Sequence, residues 1–417
     1  MTGATGLTAR TRLLPAEGVP DLLDVARGHG VLFTRSGVGF AGHGVALRVA
    51  KDQVASALGA IAIDDEVGRP GTGPVAFGAL PFLPDAPAEL VVPSLTVGVA
   101  DDGTAWVTTV EPASGSGGQP GAPDPIGALA GVLALPGRPS PADGPSSFEV
   151  TSVRSPADWQ AAVAAATARI RAGELDKVVL AREIAVTADV DISIATVLLR
   201  LAQHYPGCFL YLIDGFCGAS PELLVSRSGD VVRAQPMAGT KPRRGIPEAD
   251  AILATELLAS PTYRHEHQVT IDAVHDTLLE FSSYVDYEPE PSVVAMANVV
   301  HLATQVEGRL SHPPASVLEL VAALHPTPAV CGRPREAALA VIAELEDLDR
   351  GRYAGAVGWV DAAGNGQWAV SIRGAEISGN TARVIAGNGM VGDSDPPTEL
   401  IETRAKLQAM LSAIVRP

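Results

Sequence analysis

The chain has 417 residues, of which 47% are apolar, so it can build one large core or two or three small ones. Only 4% are aromatic, which leaves aliphatic and alanine side chains to fill the interior. A formal charge of −17 argues against a nucleic-acid binder, and it means that an anionic ligand needs local cations or a bound metal.

Cys208, Cys217 and Cys331 are odd in number and lack ligand spacing. They fit a reducing cytoplasm rather than a disulfide framework or a zinc site. The first residues show no apolar signal core, and no run approaches the roughly 20 apolar residues that span a bilayer. A cytoplasmic protein with no membrane contact is expected.

Residues 1–110 read as mixed and β-rich. Val31–Thr34 and Val45–Ala50 are expected strands, Asp52–Ile63 a short helix, and Leu90–Val99 with Thr104–Val110 a hairpin. No chemistry is legible there. Residues 111–148 are rich in Gly, Pro and Ser and read as a loop or linker. From residue 155 to the end the pattern is dense in motifs.

Ser155-Pro156 with Asp158 starts a helix to about Ala172, closed by Gly173. Asp176–Val186 is an apolar strand with Lys177 beside it. Such a lysine either snorkels to water or is desolvated and works as a base. Ile192–His204 is helical and Cys208–Ile213 a strand. Glu222 follows small residues and precedes an apolar run. A poorly solvated carboxyl there holds its proton and can donate it to a leaving group; the plainer reading is a strand-end Glu.

Pro236–Arg243 is a basic, glycine-containing turn without P-loop spacing. The helix from about Pro261 to Ser283 carries Arg264-His265-Glu266-His267. It lacks the two histidines one turn apart of a zinc helix, so Glu266 as a ligand to a hard metal is the better functional reading. Asn298–Leu310 is a strand with His301, and Val317–Leu324 and Glu336–Leu348 are helices. Between those helices His325–Pro334 is a stiff, proline-rich loop. Tyr353–Val360, Gln367–Arg373 and Thr381–Ala386 form a strand series that Arg373 punctuates.

The stretch Gly387–Lys406, GNGMVGDSDPPTELIETRAK, opens with two glycines around Asn388 and passes an acidic turn into a helix near Pro397. Glu399, Glu402 and Lys406 then share one helical face. Two carboxylates and an ammonium beneath a Gly-X-Gly turn fit a site holding a hard cation such as Mg²⁺ and an anion. An ordinary solvated Glu/Lys face has the same spacing.

Taken together, Lys177, Glu222, the Ala238-Gly239-Thr240 turn, the HPTPAVCG loop and GNGMVGDSDPPTELIETRAK resemble the chorismate-utilising enzymes, and most of all the isochorismate synthases. The likeness runs from about Ser155 to the C-terminus. It implies a single α+β domain with large stacked antiparallel sheets and helices outside, Mg²⁺ dependence, chorismate as substrate, and a monomer with no obligatory glutaminase subunit. It implies Lys177 as base and Glu222 as acid. Glu266 and Glu402 hold the metal, with Glu399 acting through water. Gly239, Thr240, His301, Ala329, Tyr353, Arg373, Gly387, Gly389 and Lys406 would line or bind the substrate.

Within that family, Ala238 disfavours the enzymes with a lysine in the pocket turn. Ala329 disfavours salicylate synthase, the first alternative, and anthranilate synthase component I, the second. Isochorismate feeds menaquinone, siderophore or salicylate formation. One departure from the family pattern stands out: Tyr263 occupies a position that is usually acidic.

Overall fold

In a computed structural model, residues 6–113, 124–135, 144–243, 246–296 and 299–415 are described. The side chains of Thr240, Pro242 and Pro247 lie outside that description.

Period-two patterning places the strands. Val306–Leu310 alternates buried and exposed, with one face in the core. Val75–Leu80, VAFGAL, is apolar throughout and buried throughout, because both of its faces are covered.

Among the described residues the strands form sheets of thirteen, nine and three. In the thirteen-stranded sheet, Lys177–Ala188 lies beside Thr381–Met390, followed by Gly374–Ser378, Phe216–Ser220 and Phe209–Ile213. There the order passes into the first third of the chain through Val31–Arg35, with Tyr211 opposite Phe33. The nine-stranded sheet is entered the same way, Val357 pairing with Ala79. Residues 6–110 therefore supply strands to both large sheets.

The two sheets face each other over Phe33, Phe40, Trp106 and Phe209 from one and Phe77 and Trp359 from the other, all buried. Phe40 stands edge-on to Phe77 at 5.9 Å and to Trp106 at 5.8 Å. The few aromatics are thus concentrated in this seam, while Val, Leu and Ala fill the layers beneath the helices.

The helices start where their caps are written. Ser155 accepts from the Asp158 N–H, Ser260 caps Pro261–Leu279, and Ser316 with Glu319 closes a capping box. The last helix, Pro396–Val415, has the Asp395 carboxylate accepting from the Thr398 N–H at 3.1 Å. No helix among the described residues is long and apolar enough to cross a membrane.

Five expectations need correcting. Asn298–Leu310 is not one strand: Asn298 lies outside the described residues, and Val299–Ala303 and Val306–Leu310 belong to different sheets. The Gly/Pro-rich segment 111–148 contains a helix, Pro125–Leu133, whose Leu129 is buried. Asp124 and Pro125 start it and a short apolar stripe docks it. Leu90–Val99 is not one hairpin arm: it breaks at Pro93 into Glu89–Val92 and Leu95–Val99, which belong to different sheets. Proline lacks the N–H a ladder needs. Gly387 and Gly389 lie inside strand Thr381–Met390, not in a turn. Finally, Ala238-Gly239-Thr240 belongs to strand Met237–Pro242, whose register shifts between Ala238 and Thr240 around Gly239 at φ 76°. It is a bulge rather than a turn.

Strand Lys177–Ala188 has an incomplete neighbour on one side. Lys177 and Val178 pair with Gly332–Arg333, and pairing resumes only at Ile184 with Ser152. A buried ion pair fills the gap. Arg350 donates to the Val179 carbonyl at 2.7 Å, and the Ala181 N–H donates to Glu346 at 2.8 Å. With the Trp159 indole N–H, which donates to the Ala181 carbonyl at 3.1 Å, the two side chains do the hydrogen bonding of the missing strand.

Candidate active site

Lys177 enters the interior at the first residue of its strand, opposite the end of Thr381–Met390. Across the pair, a Cβ on Gly389 would fall 2.7 Å from Lys177 Cε. The glycine therefore gives the lysine a channel along the sheet. Gly387 makes similar room, since a Cβ there would meet the Tyr353 hydroxyl at 3.1 Å. The ammonium of Lys177 donates to Glu266 at 2.6 Å.

Glu222 sits between strands Phe216–Ser220 and Leu223–Ser228 and is 4% exposed. Its carboxyl accepts one long bond, 3.4 Å, from the Met237 N–H. Burial pushes its pKa up to about 8, against the smaller opposing effects of that bond and of Lys177. At neutral pH it is a protonated acid. Lys177 and Glu222 face one cavity of about 540 Å³.

Helices Pro261–Leu279 and Pro396–Val415 bring Glu266, Glu399 and Glu402 to the same cavity. Lys406 pairs with Glu402 at 2.8 Å, one helical turn away. Burial opposes the charge on Glu266, but Lys177 and then Lys406 hold that carboxyl below its ordinary range. Burial, reinforced by Glu402, raises Glu399. Asn388 ties the group together: its amide donates to Glu399 and its oxygen accepts from Lys406. Tyr263 lies against this acid set, and burial followed by Glu402, Glu266 and Glu399 makes its phenol harder to ionise.

Among the described residues, no three His, Cys, Asp or Glu side chains converge closely enough to hold an ion as they stand. The donor set nonetheless suits a hard cation. It offers carboxylate oxygens, one of which, on Glu399, is raised by burial and a like-charged neighbour that a cation would relieve. His267, next to Glu266, is held through Nε2, 2.8 Å from Thr304 Oγ1, while its buried Nδ1 has no hydrogen-bond partner among the described residues and burial lowers its pKa to about 4.

Arg373 lines the same cavity. Its Nη2 lies 3.5 Å from His301 Nε2, and its buried Nη1 has no hydrogen-bond partner among the described residues. Burial, with Arg373 and Lys406 nearby, keeps His301 neutral by lowering its pKa well below the ordinary value. A guanidinium with one free edge on the cavity wall is matched by a planar carboxylate.

Of the residues singled out from the sequence, Lys177, Glu222, Gly239, Glu266, His301, Ala329, Tyr353, Arg373, Gly387, Gly389, Glu399, Glu402 and Lys406 all line this cavity. Thr240 pairs with His301 across the small sheet, and its side chain is outside the described residues. Sequence reasoning missed Asn388 as a bridge. The signal was available: a lone amide between two glycines on the strand facing Glu399 and Lys406. It also missed Arg350 and Glu346, whose i, i+4 spacing looks like an ordinary surface pair.

The profile of the chorismate binding enzyme family matches residues 42–415. A Mycobacterium tuberculosis protein provisionally named isochorismate synthase MenF is 39% identical over 360 residues, covering 83% of this chain and 88% of that protein. Isochorismate synthase DhbC of Bacillus subtilis is 40% identical over 279 residues, 64% of this chain and 70% of its own. The structure of MenF, the menaquinone-specific isochorismate synthase of Escherichia coli, aligns with a TM-score of 0.83 over 98% of this chain and 95% of that one. At 24% identity that last likeness is one of fold.

Proposed function

This chain belongs to the chorismate binding enzyme family, and we propose that it is an isochorismate synthase that converts chorismate to isochorismate without a glutaminase partner. The observation that carries this reading is the pairing of Lys177 with a buried, proton-holding Glu222 in one cavity. Isomerisation requires a base on one side of the ring and an acid on the other.

Water adds at C2 of the ring as the C4 hydroxyl departs and the double bonds shift. Lys177 takes the proton of the attacking water. Glu222 gives its proton to the C4 oxygen, which leaves as water, so the atoms balance. Lys177 reaches that role only as the neutral amine, once its ion pair with Glu266 parts and the ammonium has released a proton to solvent. Arg373 and Lys406 counter the two carboxylates of chorismate, which the overall charge of −17 would otherwise repel. Tyr353, His301, Ala329 and the bulge at Gly239 and Thr240 shape the wall.

Mg²⁺ is part of the proposal. Glu266 and Glu402 would hold it, with Glu399 through water, and when bound it neutralises a substrate carboxylate. Mg²⁺ alone should raise the melting temperature of the wild type and not of Glu402→Ala, while a shift of equal size in both would remove Glu402 from the metal set.

Incubation with chorismate and Mg²⁺ tests the activity. Chromatography should show isochorismate without added ammonia, and in ¹⁸O-water the label should appear in the C2 hydroxyl. Salicylate and pyruvate as sole products, or an ammonia-dependent aminated product, would overturn the proposal.

A further inference from the structure

Tyr211, Gly218 and Gly374 stand in register across three neighbouring strands. Tyr211 is fully buried, and its ring lies along this row. A Cβ on Gly218 would fall 2.4 Å from the Tyr211 hydroxyl oxygen, and a Cβ on Gly374 would fall 2.0 Å from it. Two positions without side chains, on adjacent strands, form the trough that admits the phenol. At its end the hydroxyl donates to the carbonyl of Ile372 at 3.2 Å.

The next residue is Arg373, at φ 57°. An arginine adopts this left-handed backbone only where its surroundings impose it. On its far side, the Arg373 carbonyl accepts from the Ala219 N–H at 3.1 Å. The peptides on both sides of the kink are therefore tied, one by the sheet and one by a single phenol.

We propose that Tyr211 is a positioning residue for Arg373, holding the Ile372 carbonyl so that the left-handed kink aims the guanidinium into the cavity at a substrate carboxylate. This rests on the reading of Arg373 as a carboxylate-binding residue. Phenylalanine would fill the same trough and stack on the same glycines. What tyrosine adds is the bond to Ile372.

Tyr211→Phe removes that bond alone. Its KM for chorismate should rise roughly five- to tenfold, the scale of one lost hydrogen bond, while kcat stays within about threefold. Arg373→Lys should raise KM further, because lysine lacks the planar fork. In the Arg373→Lys background Tyr211→Phe should add nothing, since there is no fork left to aim.

An unchanged KM in Tyr211→Phe, or a rise that compounds in full on Arg373→Lys, makes Tyr211 a packing residue and overturns the proposal alone. A wild-type KM in Arg373→Lys overturns the carboxylate reading and the proposal with it. Should Tyr211→Phe fold poorly, Gly374→Ala serves in its place. It displaces the hydroxyl, so KM must rise with the tyrosine present, and an unchanged KM there overturns the proposal equally.

Discussion

Two ion pairs lie along the same strand and differ in every respect that matters for function. Arg350–Glu346 is sealed, with side-chain exposures of 2% and 1%. Arg350 meets both Glu346 oxygens at 2.6 Å, the Val179 and Val330 carbonyls, and the face of Phe82 at 4.1 Å. Lys177–Glu266 is a single contact at 2.6 Å, with exposures of 8% and 24%, on the wall of a cavity. In the first pair every guanidinium nitrogen and both carboxylate oxygens are engaged, so it holds structure. Among the described residues the second keeps donors and a carboxylate oxygen free, so a ligand or a cation can replace one partner. A charge pair is available for chemistry to the extent that its hydrogen bonding is left incomplete.

The largest expected effect tests the open side. Glu222→Gln keeps the shape and neutrality of the acid but has no proton to give, so kcat should fall roughly 10²- to 10⁴-fold. The wild type should also carry an alkaline limb. With Glu222 pushed up to about 8, kcat/KM falls as pH rises through that value. The sign for stability is the same, because the folded state keeps a proton that the unfolded chain releases near the ordinary carboxyl pKa. The contribution is fully present below that ordinary value and is lost as pH rises through about 8. Glu222→Gln should flatten both the rate limb and the melting-temperature slope between pH 6 and 9. An unchanged alkaline limb in Glu222→Gln would assign it to another group.

Next come two substitutions that should cross. Arg350→Met leaves Glu346 buried and unpaired and should cost about 3–5 kcal/mol of stability by denaturant unfolding. Lys177→Met leaves Glu266 beside a cavity that admits solvent. Stability should fall by less than in Arg350→Met, about 1–3 kcal/mol, because Glu266 keeps solvent contact and Lys406 nearby, while turnover falls roughly 10²- to 10⁴-fold. The distinction between the pairs fails if Lys177→Met unfolds the protein as readily as Arg350→Met.

The same comparison shows what the sequence made legible. Lys177 and Glu222 could be picked out because an ionisable residue breaks an apolar run, and the helix face of Glu399, Glu402 and Lys406 follows from spacing alone. One helix start was readable from Ser155, since a cap is a local interaction, and the structure adds Ser260 and Ser316 as caps of the same kind. Arg350 and Glu346 were not, because their role depends on a sheet gap at Val179 and Ala181, some 170 residues away in the chain. Gly387 and Gly389 were noticed but misread. A glycine pair signals a turn locally, and only the pairing with Val179 and Ala181 shows that the missing side chains make room for Lys177 and Tyr353. Even the Gly/Pro-rich segment hid a helix, because its composition outweighed the buried Leu129.

The smallest effect separates the placement of Lys177 from its pairing. Gly389 has an ordinary strand backbone, so an alanine there brings no conformational strain. Its methyl carbon would sit 2.7 Å from Lys177 Cε, 3.3 Å from Nζ and 3.6 Å from Glu266 Oε1. The lysine end is flexible and yields, so the fold should melt at nearly the wild-type temperature. What changes is where the ammonium stands, by something under an ångström. Misplacement on that scale reduces turnover by up to roughly 10²-fold, and about tenfold is expected here, well short of the loss from Lys177→Met. If Gly389→Ala leaves kcat untouched, the channel beside Gly389 does not set the position from which Lys177 acts, and the openness of the Lys177–Glu266 pair alone would account for its availability.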